Sequence, residues 1–452
     1  MEEFAKRPDS DRIWRTGPIW MASDRRIAKY VGRPIAGFLQ VEAAGGIVLL
    51  FAAVVAMVWA NSPWAGSYEG LWHTEVTVGL GGFELSEDLR HWVNDALMVI
   101  FFFVVGLEIK YEIVSGELRD PKAASVPIIA AFGGMAVPAL VYAAFNAGGA
   151  GSVGWGIPMA TDIAFAVGVL SLLGRRIPSP ARVFLLTLAI VDDIGAIVVI
   201  AIFYTSDLSL TWLGVAGLLL LLMVGLRVLR VWSMSLYVVI GIGVWFATYE
   251  SGVHATIAGV VLGLLAPALP LLDQEQSKSY AREAIADEHL DANELRKFRF
   301  LLGESVPVAE RLGAQLHPWS SYVVLPIFAL ANAGINLSGD ALTSALTSPV
   351  TAGVALGLLV GKIVGVAGAS WLSVLLGLGR LPHRTTWSMM IGLGAVAGIG
   401  FTVSLFVTGL SFAEGGQLAA DAKVGILGAS LLAALVGSGI LVLTTRGRER
   451  EH

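Results

Sequence analysis

The chain contains no cysteine, which excludes a disulfide framework and any thiolate metal site. Charge is scarce as well: Asp, Glu, Lys and Arg make up 14% of the 452 residues, where a soluble globular domain carries about 25%. No Gly-x4-Gly-Lys-Ser/Thr loop occurs, so nucleotide binding is not expected. The net charge of −5 says little about partners, and neither nucleic acid, nor cofactor, nor enzymatic chemistry is expected. What is present is apolar: 56% hydrophobic residues and 53 glycines, with a mean hydropathy of +0.73. The deficit of charge points to lipid as the solvent. The first apolar stretch begins near Gly37 behind a polar, basic head, too far in for a cleaved signal peptide, and reads as the first membrane helix.

A membrane helix needs about 20 apolar residues to cross ~30 Å of hydrocarbon. Twelve such stretches occur, at 37–60, 91–109, 123–145, 155–173, 181–204, 211–226, 232–249, 253–270, 320–336, 349–376, 385–409 and 421–444. The chain is therefore read as an all-α polytopic membrane protein. A polar segment, 271–319, separates the eighth and ninth spans; it reads as a surface loop with a short amphipathic helix around DANELRKFRFLL. Between the first two spans HTEVTVGLGGFELSED, residues 73–88, alternates around Gly-Gly and predicts a small β-hairpin outside the membrane.

Orientation follows from positive charge. With both termini cytoplasmic, all but three of the 30 Lys and Arg lie in cytoplasmic segments. Arg90 and Lys423 sit at outer ends of spans, and only Lys362, in LLVGKIVGV, falls inside one. The other charges at membrane depth are Asp162 in span four and the adjacent Asp192 and Asp193 of TLAIVDDIGAIVVI in span five, with Asp95 and Glu108 toward the two ends of span two. Such residues face a pathway or a partner. A structural ion-pair cluster is the blander alternative for the aspartates and for Lys362. Asp95, after Asn94, reads as a helix cap, and Glu108 can reach the cytoplasmic interface.

Span four is interrupted: GWGIPMATDIAF places Gly154, Gly156 and Pro158 just before Thr161 and Asp162. Span eleven, IGLGAVAGIGFTVSLF, carries Gly392, Gly394, Gly398 and Gly400. The two spans are seven apart, so they run oppositely, and each is the middle of a triplet. Two interrupted helices at matching places in inverted-topology repeats point to a transport site where they cross at the midplane. Half-helix ends carry about +0.5 or −0.5 of a charge, which Asp162 and Lys362 respectively can offset. Asp192 and Asp193 point about 100° apart on a helix, so one can face a cavity and the other a neighbouring helix or Lys362. A buried carboxylate can hold either a proton or a small hard cation, and a site opened alternately to each side would exchange one for the other.

At these residues the chain resembles the NhaA-type Na⁺/H⁺ antiporters. The resemblance rests on ATDIAFAVGVLSLLG, LAIVDDIGAIVVIAIFY, SGVHATIAGV, HPWSSYVVLPIFALANAG, GLLVGK and GIGFTVSLF, in order between about residues 35 and 445. Inverted repeats belong to that family, so the symmetry is not an independent sign. The resemblance implies an electrogenic exchanger that extrudes Na⁺ or Li⁺ for a larger number of protons in the cell membrane, serving pH and sodium homeostasis. It implies that Asp193 binds the cation transiently with Asp192 beside it, that Thr161 and Asp162 form the Thr-Asp pair of the broken helix, and that Lys362 pairs with Asp192. It also implies a homodimer joined through the hairpin 73–88. Glu108, His254 and His317 match positions of pH response, but the Leu-Glu-His that precedes His-Pro-Trp in pH-regulated members is here Leu312, Gly313, Ala314. For His254 and His317 an ordinary hydrogen-bonded histidine is the competing reading.

The expected organisation is a basic cytoplasmic tail 1–34, a transporter domain 35–445 containing the loop 271–319, and a cytoplasmic tail 446–452. Both the tail and the loop are longer than the family suggests. A sodium-coupled solute symporter and an ion channel are the alternatives on the same architecture. An intramembrane aspartyl protease is disfavoured, because adjacent aspartates cannot share a proton across two helices and its Tyr-Asp and Gly-x-Gly-Asp signatures are absent.

Overall fold

Inside lipid only a helix satisfies every backbone N–H and C=O within one segment, and the apolar runs accordingly form helices. The computed structural model describes residues 44–446 apart from 81–82, 206–207, 230, 232, 271, 273–274, 276–277, 280–281, 283–290 and 414. The basic head 1–34, the opening of the first span at 37–43, part of the loop 271–319 and the tail 447–452 lie outside the described residues.

Helix α1 (Ala44–Ala60) bends by 116° into α2 (Ala65–Trp72). Strands β1 (Glu75–Leu80) and β2 (Phe83–Asp88) follow, then α3 (Leu89–Trp92), a π turn (Val93–Leu97) and α4 (Met98–Val114) in one helical run. Helix α5 (Pro121–Asn146) begins where Asp120 accepts a hydrogen bond from Lys122 N and Pro121 takes the first position, where its missing N–H is not needed. Residues Ala150–Met159 form a 3₁₀ helix that bends by 42° into α6 (Ile163–Leu173). Helices α7 (Ser179–Phe203), α8 (Leu210–Val228), α9 (Met234–Glu250) and α10 (Thr256–Leu265) come next.

The amphipathic helix expected in the loop is α11 (Ala292–Glu304). Helix α12 (Val308–Trp319) runs through a π turn (Ser320–Val324) into α13 (Leu325–Asn332). After α14 (Gly339–Thr347), α15 (Pro349–Leu356) passes through a third π turn (Gly357–Gly361) into α16 (Lys362–Leu375). Helix α17 (Trp387–Ala397) bends by 46° into α18 (Phe401–Ser411), and α19 (Gln417–Arg446) closes the described chain.

Among the described residues five helical stretches are each long and apolar enough to cross a membrane, and three bent pairs also qualify when each is taken as one span. Helix α8 turns most of its side chains outward, Leu218 and Leu221 among them. An apolar helix that packs so little requires an apolar solvent. The structure is that of a multi-pass membrane protein.

Two expectations need correction. Asp95 does not cap a helix: Asp88 does, its Oδ1 accepting from His91 N at 2.8 Å, and Asp95 falls within the π turn, where its carbonyl accepts from Trp245 Nε1. The apolar run 253–270 is not one helix either. Only the ten residues of α10 are helical, ~15 Å at 1.5 Å per residue, because a turn through Gly252, with φ of 79°, precedes them and Ala266 breaks away at their end.

The hairpin forms as expected, antiparallel from Glu75 opposite Asp88 to Leu80 opposite Phe83, with its Gly-Gly turn outside the described residues. It is held to the helices by Trp92 Nε1 donating to Val76 O (2.9 Å) and Tyr249 OH donating to Glu87 Oε1 (2.6 Å). At the centre of the bundle α5 and α16 approach backbone to backbone. A side chain on Gly133 or Gly365 would enter the opposite helix's carbonyls, and this close approach carries Lys362 inward.

Candidate functional site

The site is built at two breaks in helical structure. Residues 160–162, between the 3₁₀ helix and α6, lie against residues 398–400, between α17 and α18: Asp162 N donates to Ile399 O at 2.6 Å. The helical structure breaks at both places, and the two breaks touch. Pro158 lies in the 3₁₀ helix with its ring against Gly357, while Gly398 follows the last turn of α17 and Gly400 precedes the first turn of α18. Gly398 must lack a side chain, since a Cβ there would collide with Leu358 O.

Two helices start at this crossing, and Asp162 serves both. Its Oδ1 accepts from Phe165 N (3.0 Å) as N-cap of α6, and its Oδ2 accepts from Thr402 N (3.0 Å) and Thr402 Oγ1 (2.7 Å) in the first turn of α18. One carboxylate therefore faces two positive helix ends, as anticipated for it. Thr402 was not foreseen. Its signal was available in GIGFTVSLF, a polar residue two positions after Gly400.

Of the two partners named for Lys362, Asp192 and a negative helix end, the structure pairs it with Asp192. Lys362 Nζ donates to Asp192 Oδ2 (2.6 Å) and to Thr161 Oγ1 (3.1 Å), and both charged side chains are 0% exposed. The negative end of α17 is met by Thr161 instead, whose Oγ1 lies 2.8 Å from both Ala397 O and Asp192 Oδ2. A hydroxyl has one proton, so it serves only one of these two acceptors at a time. Lys362, Asp192, Thr161 and the end of α17 consequently form one connected network.

Asp193 stands outside it. The residue is buried, yet its Oδ1 has no hydrogen-bond partner, and neither has Asp192 Oδ1. Nearly all buried polar atoms in folded proteins are paired, and leaving one unpaired costs about 1–3 kcal/mol. These two oxygens are open acceptors. Among the described residues no group of three or more His, Cys, Asp or Glu converges as for a resident metal ion.

A polar depression of about 760 Å³ opens at the end of the bundle where α5 and α7 begin, lined by Glu112, Glu117, Arg119, Asp120 and Thr187 among others. Thr187 is buried on α7, six residues before Asp193, or ~9 Å along the axis. Glu108, half-buried on α4 one turn before Glu112, lies within electrostatic reach of both Glu112 and Asp193. The three candidates for pH response are not brought together. His254 Nε2 donates to Tyr204 O (2.6 Å) at the other end of α7, and His317 is exposed in the last turn of α12.

The 3₁₀ segment is held by groups that sequence reasoning passed over. Tyr142 OH donates to Gly151 O (2.6 Å), Tyr204 OH donates to Val153 O (2.9 Å) and accepts from Gly156 N, and Ser404 Oγ donates to Ile157 O (2.7 Å). A tyrosine in an apolar run gives no sequence sign that its hydroxyl braces a distant backbone.

Fold and site together define a multi-pass membrane protein with ionisable side chains buried at touching breaks in its helices. The profile of the family described as Na+/H+ antiporter 1 matches residues 36–441. The Na(+)/H(+) antiporter NhaA 2 of Sorangium cellulosum is 47% identical over 445 residues, covering 95% of this chain and 94% of the relative. NhaA 3 of Frankia alni is 47% identical over 406 residues (89% and 87%), and the NhaA of Rhodopirellula baltica 45% over 423 residues (91% and 94%). The chain belongs to the Na+/H+ antiporter 1 family.

Proposed function

We propose that the protein exchanges Na⁺ or Li⁺ for protons across the cell membrane, with Asp193 as the principal cation ligand. The observation that carries this reading is the pair of open, buried oxygens on Asp192 and Asp193 beside the ion pair of Lys362 with the other oxygen of Asp192. The relatives named Na(+)/H(+) antiporter support the choice of ions.

A cation reaches the site from the acidic depression, passing Glu112 and Glu108 to Asp193. A hard monovalent cation prefers oxygen ligands, and here Asp193 Oδ1, Asp192 Oδ1 and the hydroxyl of Thr161 supply them. Taking it up requires that protons leave the site, because Asp193 cannot hold both. Asp192 is freed from Lys362 as the cation binds, and the protons of Asp192, Asp193 and Lys362 move as a coupled set. More protons than cations per cycle makes the exchange electrogenic. Asp162 keeps the two helix starts neutralised while the crossing rearranges, and Gly398 and Pro158 give the breaks their shape.

In this reading the chain has about twelve spans, those from three to five and from ten to twelve are inverted repeats, the broken helices cross at the midplane and open alternately to each side, and the depression faces the cytoplasm with both termini. The hairpin 73–88 joins two copies, and Glu108, His254 and His317 adjust the response to pH. The test is transport in liposomes with an acidic interior and NaCl, LiCl or KCl added outside. Sodium and lithium are expected to drive proton efflux and potassium is not. Sodium movement without proton movement would make the protein a channel or a symporter.

A further inference from the structure

Helix α11 has a pattern unlike the membrane helices. Leu295, Phe298 and Leu302 recur at i, i+3 and i+7, and Arg296, Lys297 and Arg299 lie outside that stripe together with an exposed Phe300. Leu295 and Leu302 are 58% and 41% exposed, and among the described residues none of the three basic side chains forms an ion pair. An apolar stripe on a water-facing helix needs a cover.

The fastenings of α11 set its level. Glu304 O accepts from Leu272 N (3.2 Å), and Glu304 Oε1 pairs with Arg311 of α12 (2.9 Å). Leu272 comes seven residues after the end of α10, whose last carbonyl, Leu265 O, accepts from Arg227 Nη1 at the end of α8. The C-terminal end of α11 is thus tied to the segment that follows α10, whose own end is bonded to the end of α8. Leu269, between α10 and this tie, is 70% exposed and adds to the apolar surface.

We propose that α11 lies on the bilayer surface and binds anionic phospholipid headgroups through Arg296, Lys297 and Arg299. Leucine and phenylalanine dip into the acyl boundary while the basic groups meet phosphates, the arrangement of an interfacial helix. The occupant is lipid rather than protein because among the described residues the basic side chains form no ion pair and because the helix is fastened beside the ends of α8 and α10, two apolar helices.

The absence of cysteine makes the test direct. Full-length Leu302→Cys and Asn293→Cys, each carrying one environment-sensitive fluorophore, are placed in nanodiscs of phosphatidylglycerol-rich or pure phosphatidylcholine bilayer. The label at 302 is expected to be quenched by lipid-borne nitroxide, roughly twofold or more strongly with phosphatidylglycerol, and the label at 293 by aqueous iodide. Adding Arg296→Gln, Lys297→Gln and Arg299→Gln should abolish the difference between the two lipids while thermal unfolding is unchanged. Access of iodide to position 302 in both bilayers would overturn the proposal. Protection of 302 from both quenchers would also overturn it, by showing a protein occupant.

Discussion

Two buried carboxylates separated by one helix packing contact are treated in opposite ways. Asp162 has both oxygens bonded, to two backbone amides and a hydroxyl at the starts of α6 and α18. Asp193 presents an oxygen bonded to nothing. A fully bonded carboxylate has exchanged its water for fixed donors and gains little by taking a cation. An open one still has its solvation to recover, so it is available to a proton or an ion. Asp192 lies between these cases, one oxygen committed to Lys362 and Thr161 and the other open. On the proposed function, what separates Asp193 from Asp162 is not burial but the absence of donors to its Oδ1.

Mutations can break this comparison. The largest effect is expected for Asp193→Asn, which should reduce sodium-driven proton movement to background in liposomes while the purified protein unfolds at nearly the wild-type temperature, since no hydrogen bond to its Oδ1 is lost. Next comes Lys362→Met. Removing one partner of a buried ion pair costs about 3–5 kcal/mol, so thermal stability should fall sharply, and Asp192→Asn added to Lys362→Met should restore much of it. If the double variant is no more stable than Lys362→Met, the pair is not what stabilises this crossing.

Asp162→Asn has a smaller expected cost. It removes charge from two helix starts but keeps a cap, and losing a cap altogether costs about 0.5–2 kcal/mol. Stability should drop modestly, with ion selectivity unchanged in the liposome assay. The smallest effect is at the hairpin. Burial raises the pKa of Asp88, but hydrogen bonds from His91 and His73 outweigh it and hold the carboxyl below its usual value. A lowered folded pKa means that Asp88 stabilises the hairpin base above the ordinary aspartate range and loses that contribution as pH falls through the lowered value. Amide exchange in 75–88 should therefore quicken only in that acidic window, and Asp88→Asn should remove the dependence.

Much of this was legible beforehand for a physical reason: a charge in an apolar run is too costly to be accidental, so Asp162, Asp192, Asp193 and Lys362 announced themselves. The breaks were legible from Pro158 and the glycines of span eleven. The partnerships were less so. Nothing in span eleven said that Thr402 would bond Asp162, or that Thr161 would reach Ala397 O, because those contacts join residues more than two hundred positions apart. The three π turns were equally silent, since an extra residue in a helical turn leaves hydropathy unchanged. The short α10 was missed because an apolar run has the same composition whether or not Gly252 and Ala266 turn the chain.

Proton release on cation binding tests the distinction between the aspartates most directly. Purified wild type, Asp162→Asn and Asp193→Asn would each be mixed with NaCl in weak buffer and the protons released counted. Release is expected from wild type and Asp162→Asn and none from Asp193→Asn. Release from Asp193→Asn with none from Asp162→Asn would contradict it and move the exchange site to the start of α6.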